Sequence, residues 1–364
     1  MTSQSATRGS GGAIRLGIIG AGNIGHAHMS AFKQLPGVEL ALVTDMNRHL
    51  AERRKLEHQI GTVADSAEAI IGDPSIDAVV IAVPNLSHAP LAIQALRAGK
   101  HVLLEKPMAI DTASAKDIVR VERESGRVLL VGHQMRWEWV AQAIKAQADK
   151  QAFGRIYHVK AGWLRRKGIP GWGTWFTQKA QSGGGPLIDI GVHMLDLSLH
   201  LMGGPRPVAV YGSVYAELGP QRRGIGTWGT PDWNGRFDVE DMAAALIRMD
   251  DGSMLSLEAS WAVHLDTDSA PFVHLLGTEG GAAYRGSRGK LLTERFDREV
   301  ELELATPADD EGSRLRMSRH FLACVRGEEK PVTTAMTGLA SNLVLGAIYE
   351  SSRTGREVEL DWTL

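Results

Sequence analysis

The sequence predicts an α/β protein in two units: a parallel sheet covered by helices on both faces, then a mostly antiparallel sheet with a few helices. Three observations predict it. Short apolar runs alternate with helical patterns over about 120 residues from Ile14. A glycine-rich turn separates the first apolar run from the first helical pattern. After Gly132 the texture changes to longer alternating segments, separated by loops rich in Gly, Trp and Arg.

The elements follow in order. Residues 14–20 form an apolar run ending in glycine, the pattern of a buried strand. A helix is expected over 24–35, a strand over 38–44 ending at Asp45, and a helix over 48–59. A short helix over 66–71 precedes a strand over 78–83. The helix over 88–98 is stopped by Gly99, and a strand over 101–104 follows. The helix over 113–125 is stopped by Gly126, before a strand over 128–131. Strands joined through helices run parallel, with both faces covered. Beyond Gly132, alternation predicts strands over 155–163, 208–215, 243–249, 253–262 and 272–277. Helical patterns over 313–326 and 337–353 are expected to pack back on the first unit. The expected division is a flexible tail over 1–13, a first domain over 14–132 and a second over 133–364.

Composition bounds the function. The chain has 364 residues, 43% hydrophobic and 23% charged, enough for two globular domains with a sizeable core. The formal net charge is -2, so no basic excess points to nucleic acid or an anionic membrane. No apolar run reaches the length of a membrane span, and the Ser/Thr/Gly-rich start lacks the apolar core of a signal peptide. Cys324 is the single cysteine, which excludes an intrachain disulfide. A cytoplasmic location is the simple expectation, with Cys324 an inert buried thiol.

The turn Gly20-Ala21-Gly22-Asn23-Ile24-Gly25 fits G-x-G-x-x-G in the context its physics requires, after a strand and opening a helix. Gly20 permits the tight turn, Gly22 lets backbone approach a pyrophosphate, and Gly25 lets helix and strand pack closely. Asn23 and Ile24 open the helix whose free N–H groups face the phosphates. Asp45 ends the next strand, where a carboxylate accepts from ribose hydroxyls and repels a 2′-phosphate. NAD is therefore the expected cofactor, with NADP, favoured only by nearby Arg48, the lesser alternative.

Two further features carry chemistry. Glu105-Lys106-Pro107 follows a strand, at the end that lines the ligand crevice in such sheets. A cis Lys106–Pro107 bond would aim Lys106 at a substrate oxygen, where it stabilises a developing alkoxide; a surface lysine is the equal alternative. Glycines and Pro186 then start an apolar helix on which Asp189, His193, Asp196 and His200 share one face. Asp189 and His193 are spaced to touch, which suits a carboxylate orienting a histidine base. The same stripe also fits a metal site or a hydrogen-bonded structural role, and spacing does not choose among the three.

Together the glycine loop, Val83-Pro84-Asn85 with His88, Glu105-Lys106-Pro107 and Asp189-x-x-x-His193 resemble the glucose–fructose oxidoreductase/inositol dehydrogenase/MocA (Gfo/Idh/MocA) family. The resemblance spans Ile14 to Tyr349. It implies a Rossmann domain and a C-terminal α/β domain whose large open sheet forms a homodimer or homotetramer interface. It implies that Lys106 is the active-site lysine and that Asp189 and His193 are the acid–histidine pair, with His193 accepting the proton. Pro84, Asn85, His88 and Glu105 are then expected along the nicotinamide half of NAD. His133 and Arg136 fall where members carry an aromatic or amide residue and an arginine, and both are expected to touch substrate. The resemblance implies no metal and leaves Asp196 and His200 structural.

Nine tryptophans are present, and the stretch from Trp163 to Trp175 also carries Arg165. Aromatic faces beside hydrogen-bond donors suit a sugar ring, so Trp163, Arg165 and Trp175 join the expected substrate site. The expected activity is hydride transfer between NAD and a secondary alcohol of a sugar, glycoside or inositol. A sugar lyase or glycosidase using transient oxidation, and a non-catalytic cofactor-binding regulator, are the alternatives.

Overall fold

The computed structural model describes residues 12–266 and 271–364; residues 1–11 of the expected tail lie outside them. Six strands form the first sheet: β1 (Ile14–Ile19), β2 (Val38–Thr44), β3 (Thr62–Val63), β4 (Ala78–Ile81), β5 (His101–Leu104) and β6 (Leu129–Val131). Their order is β3-β2-β1-β4-β5-β6, and every pairing is parallel. The connecting helices are α1 (Asn23–Phe32), α2 (Arg48–His58), α3 (Ala67–Gly72), α4 (His88–Arg97) and α5 (Thr112–Ser125). All four residues of β4 are fully buried, as a strand covered on both faces must be. Two-residue β3 was not expected, because so short a strand leaves no periodicity. The strand order reverses between β1 and β4, the point at which sheets of this kind bind ligands, outside the strands' carboxyl ends. Gly20, Pro84 and Lys106 follow β1, β4 and β5 at those ends.

The second sheet is built on helix α6 (Trp139–Asp149) and strands β7 (Ile156–Leu164), β8 (Pro207–Tyr215), β9 (Met242–Met249), β10 (Met254–Ser260) and β11 (Phe272–Gly277). It continues through β12 (Gly280–Arg285), β13 (Arg288–Arg295), β14 (Arg298–Ala305) and β15 (Val358–Glu359). The order is β14-β13-β12-β11-β7-β10-β9-β8-β15. Among the described residues of this sheet, only β7 and β10 pair in parallel. This mixed, mostly antiparallel sheet has the expected character but is longer than the alternating runs indicated. The hairpin β13–β14 is mostly exposed and was not expected, although Glu299-Val300-Glu301-Leu302-Glu303-Leu304 of β14 alternates charged and apolar residues, the pattern of a strand.

Between β7 and β8 lie α7 (Lys179–Ser182), a π-helical turn over Leu187–Gly191 and α8 (Val192–Leu201). Two late helices, α9 (Ser313–Val325) and α10 (Ala335–Thr354), follow β14. Leu195 and Leu197 of α8, Ile144 of α6 and Ile348 of α10 pack on Val159, Leu257 and Leu275 of the sheet's inner face. The opposite face exposes Tyr157, Tyr211, Tyr215 and Leu246. Met317, Phe321 and Leu322 of α9 join the first core beside Met29 and Phe32 of α1. The Phe32 and Phe321 rings meet edge-on at 6.3 Å, a contact worth about 0.5–1.5 kcal/mol beyond burial. Leu339 and Leu343 of α10 pack with Ile118 and Val119 of α5, so this helix serves both sheets. Cys324 is buried, and burial raises its thiol pKa to about 11, as an inert thiol requires.

Candidate active site

The glycine loop is built for an anionic ligand. Gly20 has φ +103°, and a Cβ there would sit 2.2 Å from the Ala82 carbonyl oxygen. A Cβ on Gly25 would sit 2.0 Å from the Gly20 carbonyl oxygen, so only glycine lets α1 close on β1. Nothing lies within 4 Å of a Cβ on Gly22, which leaves that backbone open to a pyrophosphate. Gly22 caps α1 without a side-chain hydrogen bond, and the first turn, with Asn23 and Ile24, holds no acid. Its N–H groups and positive dipole end therefore face the crevice unneutralised. The backbone N–H groups of Ala21 and Asn47 donate to the two carboxylate oxygens of Asp45 at 2.7 and 2.8 Å, fixing it beside the loop. Arg48, the residue that favoured NADP, pairs with Asp65 at 2.8 Å. These residues fit a dinucleotide with free ribose hydroxyls.

Lys106 and Asp189 meet across the crevice. Lys106 Nζ donates to the Asp189 carbonyl at 2.7 Å and to its Oδ1 at 3.2 Å. The Lys106–Pro107 bond is cis. The other carboxylate oxygen of Asp189 accepts from Trp261 Nε1 at 3.0 Å. The expected Asp189–His193 contact is absent among the described hydrogen bonds. Asp189 lies in the π-helical turn and His193 in the α-helix after it, so the i, i+4 geometry of a regular α-helix does not hold between them. His193 is 6% exposed and its Nδ1 has no partner. Burial, then the charge of Lys106, holds its pKa well below the usual imidazole range, so it is neutral near pH 7. Glu240, unforeseen in the sequence, accepts from the N–H groups of Gly185 and Leu187 at 2.9 and 3.1 Å and anchors the start of this helix.

The nicotinamide-side residues are more committed to protein than expected. Glu105 Oε1 lies 2.7 Å from His28 Nε2 and accepts from Arg314 of α9 at 3.2 Å. Burial pushes the Glu105 carboxyl up, but the His28 hydrogen bond and the Arg314 charge prevail and hold it well below the ordinary range. Neither partner was foreseen, since they stand 77 residues before and 209 after it. Asn85 donates to the Ser182 carbonyl at 2.7 Å, and Pro84 stays half-buried at the crevice. His88 corrects an expectation. Its ring nitrogens lie 2.7 Å from the Pro107 oxygen and 2.9 Å from the Val83 oxygen, and it is 1% exposed. Its side chain braces the ends of β4 and β5 and has no free edge for a cofactor.

Arg136 is a second correction. Its Nε and one terminal nitrogen donate to both Asp196 oxygens at 2.7 and 2.6 Å, and its other terminal nitrogen donates to the Val332 carbonyl. The guanidinium is buried and each of its three nitrogens already donates to protein, so it is committed to Asp196 and Val332. Asp196 is thereby structural, and the metal reading of His193, Asp196 and His200 loses its carboxylate. His133 is buried 3.6 Å from Asp196, with neither ring nitrogen bonded. Burial lowers its pKa to about 4. Arg165 lies over the Trp163 ring at 4.6 Å, close enough to Asp189 to feel its charge, and its guanidinium has no hydrogen-bond partner among the described residues. Trp175 stacks on Phe176 at 3.8 Å.

Residues 14–133 match the family model GFO_IDH_MocA, an oxidoreductase family with an NAD-binding Rossmann fold. Residues 141–283 match the GFO/IDH/MocA C-terminal domain. The chain is 32% identical over 355 residues to the D-glucoside 3-dehydrogenase of Escherichia coli (strain K12), covering 95% of this chain and 97% of that protein. It is 26% identical over 372 residues to the scyllo-inositol 2-dehydrogenase (NAD(+)) of Bacillus subtilis (strain 168), covering 96% of each. A solved levoglucosan dehydrogenase in complex with NADH and levoglucosan shares the fold, with TM-score 0.86 and 24% identity over 96% of this chain and 99% of that one.

Proposed function

Because this chain belongs to the GFO/IDH/MocA oxidoreductase family, with an NAD-binding Rossmann fold over residues 14–133, we propose that it moves a hydride between NAD and a secondary alcohol of a sugar, glycoside or inositol. The observation that carries the reading is the meeting of Lys106 and Asp189 on the helix that presents a neutral, buried His193. Gly20, Gly22, Asn23, Ile24 and Gly25 hold the pyrophosphate, and Asp45 accepts from the adenosine ribose. Pro84, Asn85 and Glu105 line the nicotinamide half. NAD, when bound, supplies the hydride acceptor. His193 takes the hydroxyl proton as the C–H bond breaks, and Lys106 donates a hydrogen bond to the oxygen that becomes the ketone. Asp189 sets the position of Lys106. Arg165 and Trp163 offer a free guanidinium and an aromatic face to the sugar hydroxyls and ring, and Trp175 adds a second face.

Residues 14–132 serve the cofactor and 133–364 the substrate and self-association. The outer face of the nine-stranded sheet, with Tyr157, Tyr211, Tyr215 and Leu246 exposed, is the surface for a homodimer or homotetramer. We place the enzyme in the cytoplasm, in keeping with its single buried thiol.

The test is absorbance of reduced cofactor when purified protein meets NAD and a panel of glucosides, anhydrosugars and inositols. His193→Ala and Lys106→Ala are each expected to lower kcat by about 10²–10⁴-fold. Full turnover by the double variant would sink the mechanism.

A further inference from the structure

Behind the glycine loop, α1 and α2 bring three metal-ligating side chains together. His26 lies in the first turn of α1, and Glu57 and His58 end α2. His26 Nδ1 and His58 Nε2 are 2.8 Å apart, and Glu57 Oε2 is 3.8 Å from His26 Nδ1. The three ligand atoms fall within 4.8 Å of one another, the one such group among the described residues. Tetrahedral zinc holds nitrogen and oxygen ligands at about 2.0–2.2 Å, hence about 3.3–3.6 Å from each other. The two measured separations straddle that spacing, and the Glu57–His58 separation, within 4.8 Å, closes by at most about 1.5 Å to reach it.

The contacts around the cluster agree. The other charged groups at the site are Arg53, Arg54 and Lys33. Arg54 donates to Glu57 at 2.5 Å, the arrangement of an outer partner orienting a carboxylate ligand, and its Nε donates to the Ala21 carbonyl of the glycine loop at 3.2 Å.

We propose that His26, Glu57 and His58 bind a divalent transition-metal ion of the zinc class, with water in the fourth position, pinning α1 to α2 behind the pyrophosphate loop. The site does not depend on the proposed activity, and its test does not use turnover as the readout. Chelator-treated, NAD-loaded protein is titrated with Zn²⁺ by calorimetry and with Co²⁺ by visible absorption. One saturable site with tetrahedral Co²⁺ bands is expected. His58→Gln and His26→Asn should each weaken binding by about tenfold or more, and Glu57→Gln should shift the Co²⁺ bands. Half-exposed His26 keeps the test sound if His58→Gln fails to fold. No saturable binding by the unsubstituted protein, or binding within about threefold of it in both His26→Asn and His58→Gln, would overturn the proposal.

Discussion

Trp261→Phe isolates one hydrogen bond at the site. Trp261 is fully buried, and its Nε1–H donates to Asp189 Oδ2 at 3.0 Å, while Lys106 holds Oδ1 at 3.2 Å. The carboxylate is thus gripped from both sides, and Lys106 is aimed by the grip. Phenylalanine keeps an aromatic ring in the core shared with Ile169, Trp172 and Ile190 but removes the donor. A hydrogen bond to a charged group contributes about 1.5–3 kcal/mol, so its loss lets Asp189 and Lys106 turn toward other partners and should lower kcat by about 10- to 150-fold. KM for NAD should stay put, because Gly20 to Gly25 and Asp45 are untouched. The assay is steady-state turnover at saturating NAD, well below the melting temperature of the variant, since the smaller ring also costs packing. The same substitution in an Asp189→Asn background should have a much smaller effect, as the two share one interaction. If folded Trp261→Phe keeps kcat within about twofold, or the two substitutions multiply independently, Trp261 is only a core residue and the positioning argument fails.

Other consequences follow. Gly25→Ala forces a Cβ to within 2.0 Å of the Gly20 carbonyl oxygen, so NAD affinity by fluorescence titration should drop by about tenfold or more while the second sheet still folds. Arg136→Met leaves Asp196 buried and unpaired, and urea unfolding should show a loss of about 3–5 kcal/mol. A raised KM for sugar with unchanged stability would instead return Arg136 to the substrate site. His133 has a folded pKa of about 4 against 6.5 when unfolded. The unfolded chain therefore binds the extra proton between those values, and stability present above pH 6.5 is lost as pH falls toward 4. At pH 5 the loss from His133 alone is about 2 kcal/mol, and the slope of denaturation free energy with pH should flatten in His133→Gln.

Local pattern determined much of this protein. The alternation of apolar runs and helices specified a parallel sheet, because each segment's periodicity is set by its own residues. The glycine loop was legible for the same reason: Gly20, Gly22 and Gly25 act through backbone sterics within one βα turn. Lys106 was legible because a residue just after a strand of such a sheet lies at the crevice. The tertiary structure alone decided how side chains far apart in sequence share partners. Asp189 turns to Lys106 and Trp261 rather than to His193, since a π-helical turn breaks the regular spacing on which that pairing rested. Arg136 is taken up by Asp196, His88 by the carbonyls of Val83 and Pro107, and Glu105 by His28 and Arg314. Each of these contacts joins separate elements, and a buried charge or ring takes whatever partner the packing supplies within hydrogen-bond reach. Periodicity says which face of an element is buried; it carries no information about which distant group waits on the other side.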